Sequence, residues 1–145
     1  MTNNDDLWPE DLVAEIPRTP KDILLEQAAA LGKKTKNVVQ AKVRSRQDDD
    51  GDLVHRFVLF APALGNYEYE LVSVWHDETL YPVSAPSSGA APGPKKLQDE
   101  EELRQYLRGF FGSERTLKVV RAMVANSRAE VPTSGDYGKD DDIPF

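Results

Sequence analysis

The sequence predicts an α+β fold: an N-terminal helix, an antiparallel sheet of three or four strands, two C-terminal helices and a disordered acidic tail. Three observations predict it. A capped helix start stands at Thr19, three successive segments then alternate apolar and polar residues, and two later segments carry apolar residues at helical spacing. Strands gathered between helices, rather than interleaved with them, place the helices on one face of an antiparallel sheet.

In chain order, residues 1–18 mix acids with Leu7, Trp8, Leu12, Val13 and Ile16 and read as a flexible arm, loose or strapped to the domain. At Thr19-Pro20-Lys21-Asp22 a capping Thr, a Pro at the first helical position and an acid three residues after the cap agree on a helix start. Ile23, Leu24, Gln27, Ala28 and Leu31 give that helix one apolar face, and Gly32 is its expected stop. Alternation follows: Val39, Ala41 and Val43 point one way, and Gln40, Lys42 and Arg44 the other, which makes a half-buried strand with a basic outer face. DDDGD at residues 48–52 makes the turn, LVHRFVLFA from Leu53 returns, and YEYELVSVW from Tyr67 is the third strand. Residues 80–83 would supply a short fourth.

The segment 81–97 is rich in Pro, Gly, Ser and Ala and is expected to be a flexible surface loop, because it offers little apolar area against the entropy of ordering. A helix opens within residues 98–102, its acids sitting where the helix dipole favours them, with Leu103, Tyr106, Leu107, Phe110 and Phe111 as its apolar stripe. Gly112 and Ser113 interrupt it, and Leu117, Val120, Met123 and Val124 carry the last helix to an end near Asn126. The expected organisation is an arm (1–18), one domain (19–128) and a tail (129–145).

Composition narrows the function. A chain of 145 residues has room for one core plus tails. It contains no apolar run of bilayer length, and its opening MTNNDDLWPEDL lacks the basic and apolar regions of a signal peptide, so a cytoplasmic location is expected. The absence of cysteine removes disulfides, thiolate zinc sites and thiol nucleophiles. The net charge of −7 hides segregation: Lys33, Lys34, Lys36, Lys42, Arg44 and Arg46 form a basic block that contains no acid.

No catalytic constellation is visible, and the chain is not expected to be an enzyme. His55 and His76 have no HExxH or CxxC companions, no glycine-rich phosphate loop follows a strand, and no nucleophile elbow occurs. His76-Asp77-Glu78 offers metal-ligand types, and Asp48, Asp49, Asp50 and Asp52 a faint calcium-loop pattern. The twelve-residue frame of such a loop would put its closing acid near Leu59, and a hairpin turn explains these acids better. No metal and no cofactor are expected.

The last six residues, Asp140, Asp141, Asp142, Ile143, Pro144 and Phe145, read DDDIPF. This tip resembles the C-terminal tail of bacterial single-stranded DNA-binding protein, SSB, which recruits genome-maintenance enzymes. The resemblance implies partners with SSB-tail pockets, such as exonuclease I, a RecQ-type helicase or a RecO-type mediator. The physics of such a tip is legible by itself. Phe145 offers a ring and, on the same residue, a carboxylate that an arginine can hold bidentately. Pro144 biases Ile143 toward extended backbone, and the three aspartates steer the tip to a basic rim. The domain departs from SSB, since an OB-fold needs five strands closed into a barrel with a helix between the third and fourth. The order of helix, three strands and helix is similar to that of the double-stranded RNA-binding domain, but acids stand where its second helix would begin with lysines.

Single-strand binding needs cations for phosphates and aromatic faces for bases. Lys33, Lys34, Lys36, Lys42, Arg44, Arg46 and Arg56 are the candidate cations, and Tyr67, Tyr69 and Trp75 the candidate platforms. The expectation is an accessory protein of DNA metabolism that binds single-stranded DNA on a basic strand face and recruits replication or repair enzymes by its tip. The alternative is an SSB-tail mimic without DNA affinity, of phage or mobile-element type.

Overall fold

The computed structural model of the chain describes residues 5–87 and 92–130 and builds them into three α-helices packed on one face of a five-stranded antiparallel sheet. The expected tip and most of the expected tail lie outside the described residues.

Helix α1 spans Pro20–Lys34 and opens with a complete capping box: Thr19 Oγ1 accepts from Asp22 N at 2.9 Å, and the Asp22 carboxylate accepts from Thr19 N at 3.2 Å. The hydrogen bond donated by the Thr19 backbone N–H, with the Thr19 hydroxyl beside it, holds the Asp22 carboxyl below its ordinary pKa. The helix does not stop at Gly32. It runs to Lys34, where the Thr35 N–H donates to the Leu31 carbonyl at 3.0 Å, and Lys36 and Asn37 take left-handed φ of 55° and 67° to turn the chain into the sheet. A Cβ at Gly32 would lie 3.2 Å from Asn37 Oδ1, a tight contact that the Asn37 side chain would have to relieve by shifting a few tenths of an ångström.

The strands are β1 (Gln40–Gln47), β2 (Leu53–Phe60), β3 (Glu68–His76), β4 (Val83–Ala85) and β5 (Lys95–Leu97), paired in chain order as a meander. The count exceeds the three or four expected. β4 meets the anticipated fourth strand, residues 80–83, only at Val83, and both β4 and β5 lie inside the segment expected to be an irregular loop. Each is only three residues long, and a single register pair, Trp75 with Ser84, ties β4 to β3. Five strands would suit an OB-fold by number. Among the described residues, however, β1 pairs only with β2 and no helix stands between β3 and β4, so the sheet is open.

After β5, Asp99 caps helix α2 (Glu100–Phe111) by accepting from Glu102 N at 3.0 Å. Ser113 then opens α3 (Glu114–Glu130), which continues past the expected end because Ser127, Arg128 and Ala129 contain no breaker. The core lies between sheet and helices. Phe57, Leu59, Val72, Val74, Val83 and Leu97 meet Ile23 and Leu24 of α1, Leu103 and Leu107 of α2 and Met123 of α3, all at most 4 % exposed. Arg18 anchors the root of the N-terminal arm through an ion pair with Glu26 and a hydrogen bond from Tyr81 Oη to its carbonyl at 3.2 Å. Beyond that root the large apolar side chains of the arm are exposed, so the arm does not strap the domain. Among the described residues no helix is long and apolar enough to cross a membrane.

Candidate nucleic-acid interface

Residues directly opposite in an antiparallel ladder share a face. The register therefore fixes what the outer face of the sheet carries, away from the helices. One row runs Gln40, Phe60, Glu68; the next Lys42, Val58, Glu70; the next Arg44, Arg56, Ser73; and the last Arg46, Val54, Trp75, Ser84, Lys96. Five cations (Lys42, Arg44, Arg46, Arg56 and Lys96) thus share the face with two carboxylates. The last row is the longest, with Trp75 at its centre and a cation at each end, each end about 10 Å away at the usual strand spacing.

The carboxylates are well placed against the cations. Glu68 takes Lys42 Nζ at 2.6 Å and both of its oxygens accept from Arg44, at 2.8 and 2.9 Å, while Glu70 lies 3.7 Å from Arg56. The hydrogen bond from Lys42, with Arg44 beside it, holds the Glu68 carboxyl below its ordinary pKa. Lys42 Nζ also stands 5.0 Å from the centre of the Phe60 ring, a cation–π arrangement. Arg46 makes no ion pair with the described residues.

The three aromatic candidates do not come together. Between Phe57 and Val58 the β2–β3 register shifts, leaving Leu71 as an extra residue on β3. Before this bulge the odd-numbered residue Tyr69 lies opposite Leu59 on the helix-packed face, and its hydroxyl reaches Arg115 of α3 at 3.4 Å. After the bulge the odd-numbered Trp75 lies on the outer face. Tyr67 packs against the core. Lys33, Lys34 and Lys36 stand exposed at the end of α1 and in its turn, outside these cross-strand rows. The outer face therefore unites Lys42, Arg44, Arg46, Arg56 and Trp75 from the expected set. It adds Phe60 and Lys96, of which Lys96 was hidden in a segment read as loop. The tip residues Asp140, Asp141, Asp142, Ile143, Pro144 and Phe145 lie outside the described residues.

On the other face the two histidines meet. His76 is the diagonal neighbour of His55 across β2 and β3, and both are nearly closed to water. Their Nε2 atoms stand 2.8 Å apart, His76 Nδ1 lies 2.7 Å from the Asp77 carbonyl and His55 Nδ1 lies 2.7 Å from Ser45 Oγ. With both rings neutral, one proton arrangement satisfies every contact. Ser45 donates to His55 Nδ1, His55 Nε2–H donates to His76 Nε2, and His76 Nδ1–H donates to the carbonyl. Burial, with His76 alongside, pushes the His55 pKa down to about 4. The Asp77 carboxylate is turned to Thr79, accepting from its N–H at 2.8 Å, so the side chains of His76 and Asp77 are committed to different partners. Asp48 Oδ1 likewise accepts from the N–H groups of Asp50 and Asp52, both at 2.9 Å, as a hairpin turn requires. Comparison with known family models, with curated proteins and with solved structures finds no match to this chain.

Proposed function

We propose that this chain is an accessory protein of DNA metabolism that holds single-stranded DNA on the outer face of its sheet and recruits replication, repair or recombination enzymes through residues 140–145. The observation that carries the DNA part is the long cross-strand row, in which Trp75 stands between Arg46 and Lys96 with Arg44 and Arg56 in the adjacent row. A ring flanked by cations is what a sequence-tolerant single-strand binder uses, the ring for bases and the cations for phosphates. The recruiting part rests on the DDDIPF sequence.

Fluorescence anisotropy with a labelled single-stranded oligonucleotide at two salt concentrations tests the first part. Replacing Lys42, Arg44 and Arg46 together by Ser weakens binding and flattens its salt dependence, since each phosphate contact releases counterions. Unchanged affinity and slope eliminate the DNA reading. Capture of SSB-binding enzymes by the chain ending at Phe145 tests the second part. Deleting Phe145, or adding one Gly after it, removes or displaces the carboxylate beside the ring and costs about 2 kcal/mol or more, as for a buried anchor. Capture that survives the added Gly reduces the tip to a solvated acidic end.

The tail-mimic reading without DNA affinity is favoured by a separate observation: Glu68 and Glu70 already engage Lys42, Arg44 and Arg56. It predicts enzyme capture with no salt-sensitive oligonucleotide binding.

A further inference from the structure

An apolar surface lies away from the sheet's outer face. A half-open groove of about 490 Å³ runs between α1 and the α2–α3 pair. Leu31, Phe57, Leu107, Phe111 and Val120 are among the residues that line it, and Lys34, Arg104 and Arg108 bring cations to it. Among the described residues its lining contains no carboxylate. Arg104 is engaged by Glu26 and Glu100, whereas Lys34 and Arg108 make no ion pair with the described residues. An apolar trough bordered by Lys34 and Arg108, neither of them ion-paired among the described residues, fits an acidic amphipathic segment.

The chain itself carries such a segment. Leu7, Trp8, Leu12, Val13 and Ile16 are 92, 71, 55, 69 and 72 % exposed, the most conspicuous apolar exposure among the described residues. Interleaved with them are Asp5, Asp6, Glu10, Asp11 and Glu15, with no cation before Arg18. Trp8, Leu12 and Ile16 recur at the i, i+4, i+8 spacing of one helical face, Pro9 suits a first helical position, Glu10 and Asp11 suit a first turn, and Pro17 ends the run. A first turn is already present, with Ala14 N donating to the Asp11 carbonyl at 3.0 Å.

We propose that the arm of one copy seats as a short helix in the groove of a second copy, Trp8, Leu12 and Ile16 inward and its acids toward Lys34 and Arg108. The root of the arm is why the groove belongs to another copy. Arg18 is fixed to Glu26 and Tyr81, and Pro17 and Pro20 restrict the backbone on either side of it, so on its own copy the arm stays out of the groove with its apolar side chains in water. Reciprocal exchange closes a two-fold dimer and buries both arms.

Sedimentation velocity of the full chain from micromolar to millimolar concentration, without nucleic acid, tests this. A concentration-dependent dimer is expected. Trp8→Ala with Leu12→Ala in the arm, or Leu117→Glu at the groove, weakens dimerisation by at least about tenfold, as loss of a central anchor does. Arg108→Glu provides a groove variant on an exposed side chain, and circular dichroism confirms that each variant is folded. An equimolar mixture of the arm variant and a groove variant retains one intact arm and one intact groove, and forms a heterodimer that neither forms alone. A chain that stays monomeric throughout, as it would if the arm used its own groove, overturns the proposal. So does a dimer insensitive to the arm variants, which would be built on another surface.

Discussion

On the helix-packed face of the sheet, Phe57, Leu59, Val72 and Val74 are closed to water by other apolar side chains, and the polar groups there, His55 and His76, bond to each other. On the outer face Val58 is almost as buried, at 4 % exposure, yet its cross-strand neighbours are Lys42 and Glu70. The difference lies in what provides the cover. Long charged side chains shelter an apolar residue with their methylene stems while their heads stay in water, and those heads can change partners with little repacking. The core face has less such freedom, because its buried apolar groups are held by close packing and its histidines by contacts with each other, with Ser45 and with the Asp77 carbonyl. One face is thus equipped to exchange an internal ion partner for an external one, and the other to hold the fold.

Three experiments sharpen or break this contrast. The largest effect belongs to the core face: Phe57, whose ring centre lies 5.3 Å from that of Phe111 at a 37° tilt, leaves a cavity when replaced by Ala, and chemical denaturation should show a loss of about 3–5 kcal/mol. A loss below about 1 kcal/mol would mean that this face repacks as freely as the outer one.

The buried histidines come next. In the folded chain His55 stays neutral down to about pH 4, whereas an unfolded histidine takes a proton near pH 6.5. The unfolded state therefore binds more protons in this window. Stability from this group is complete above about pH 6.5, falls as the pH drops toward about 4, and levels off below that. Denaturation midpoints across this range should reveal a loss of roughly 3 kcal/mol from this residue. A flat profile would show that the pair accommodates a proton without opening.

The smallest effect on stability is expected on the outer face, where Glu68→Gln removes the charge that Lys42 and Arg44 share. The melting temperature should scarcely change, since exposed ion pairs contribute little. Oligonucleotide affinity should rise and its salt dependence steepen as two cations are released to phosphate. Destabilisation without a gain in affinity would assign these ion pairs a structural role and break the contrast.

What was legible in the sequence follows from how locally each feature is encoded. Thr19, Pro20 and Asp22 carry the whole start of α1 within four residues, and the alternation around Lys42 and Arg44 assigns the outer face of β1 without reference to any other strand. β5 was missed because Lys95, Lys96 and Leu97 are too few to show a period and are set among prolines and glycines; their pairing with β4 makes them a strand. Glu68 is 24 residues from Arg44, and only the register brings the two together. Tyr69 and Trp75 share a parity, so strict alternation puts them on one face, and the bulge at Leu71 separates them. The meeting of His55 and His76 was within reach of the sequence once β2 and β3 were read as a hairpin, but it required the right register.

The bulge also uncouples the face of a β3 residue from its place in the count. Upstream of Leu71 the even-numbered Glu68 and Glu70 belong to water, and downstream of it the even-numbered Val72 and Val74 belong to the core. Strict alternation through every residue would put Glu68, Glu70, Val72 and Val74 on one face, whereas removal of Leu71 alone would leave the glutamates outside and the valines inside on an unbroken alternation. The one unpaired residue is therefore what lets a strand whose acids and valines share a parity present them to opposite faces.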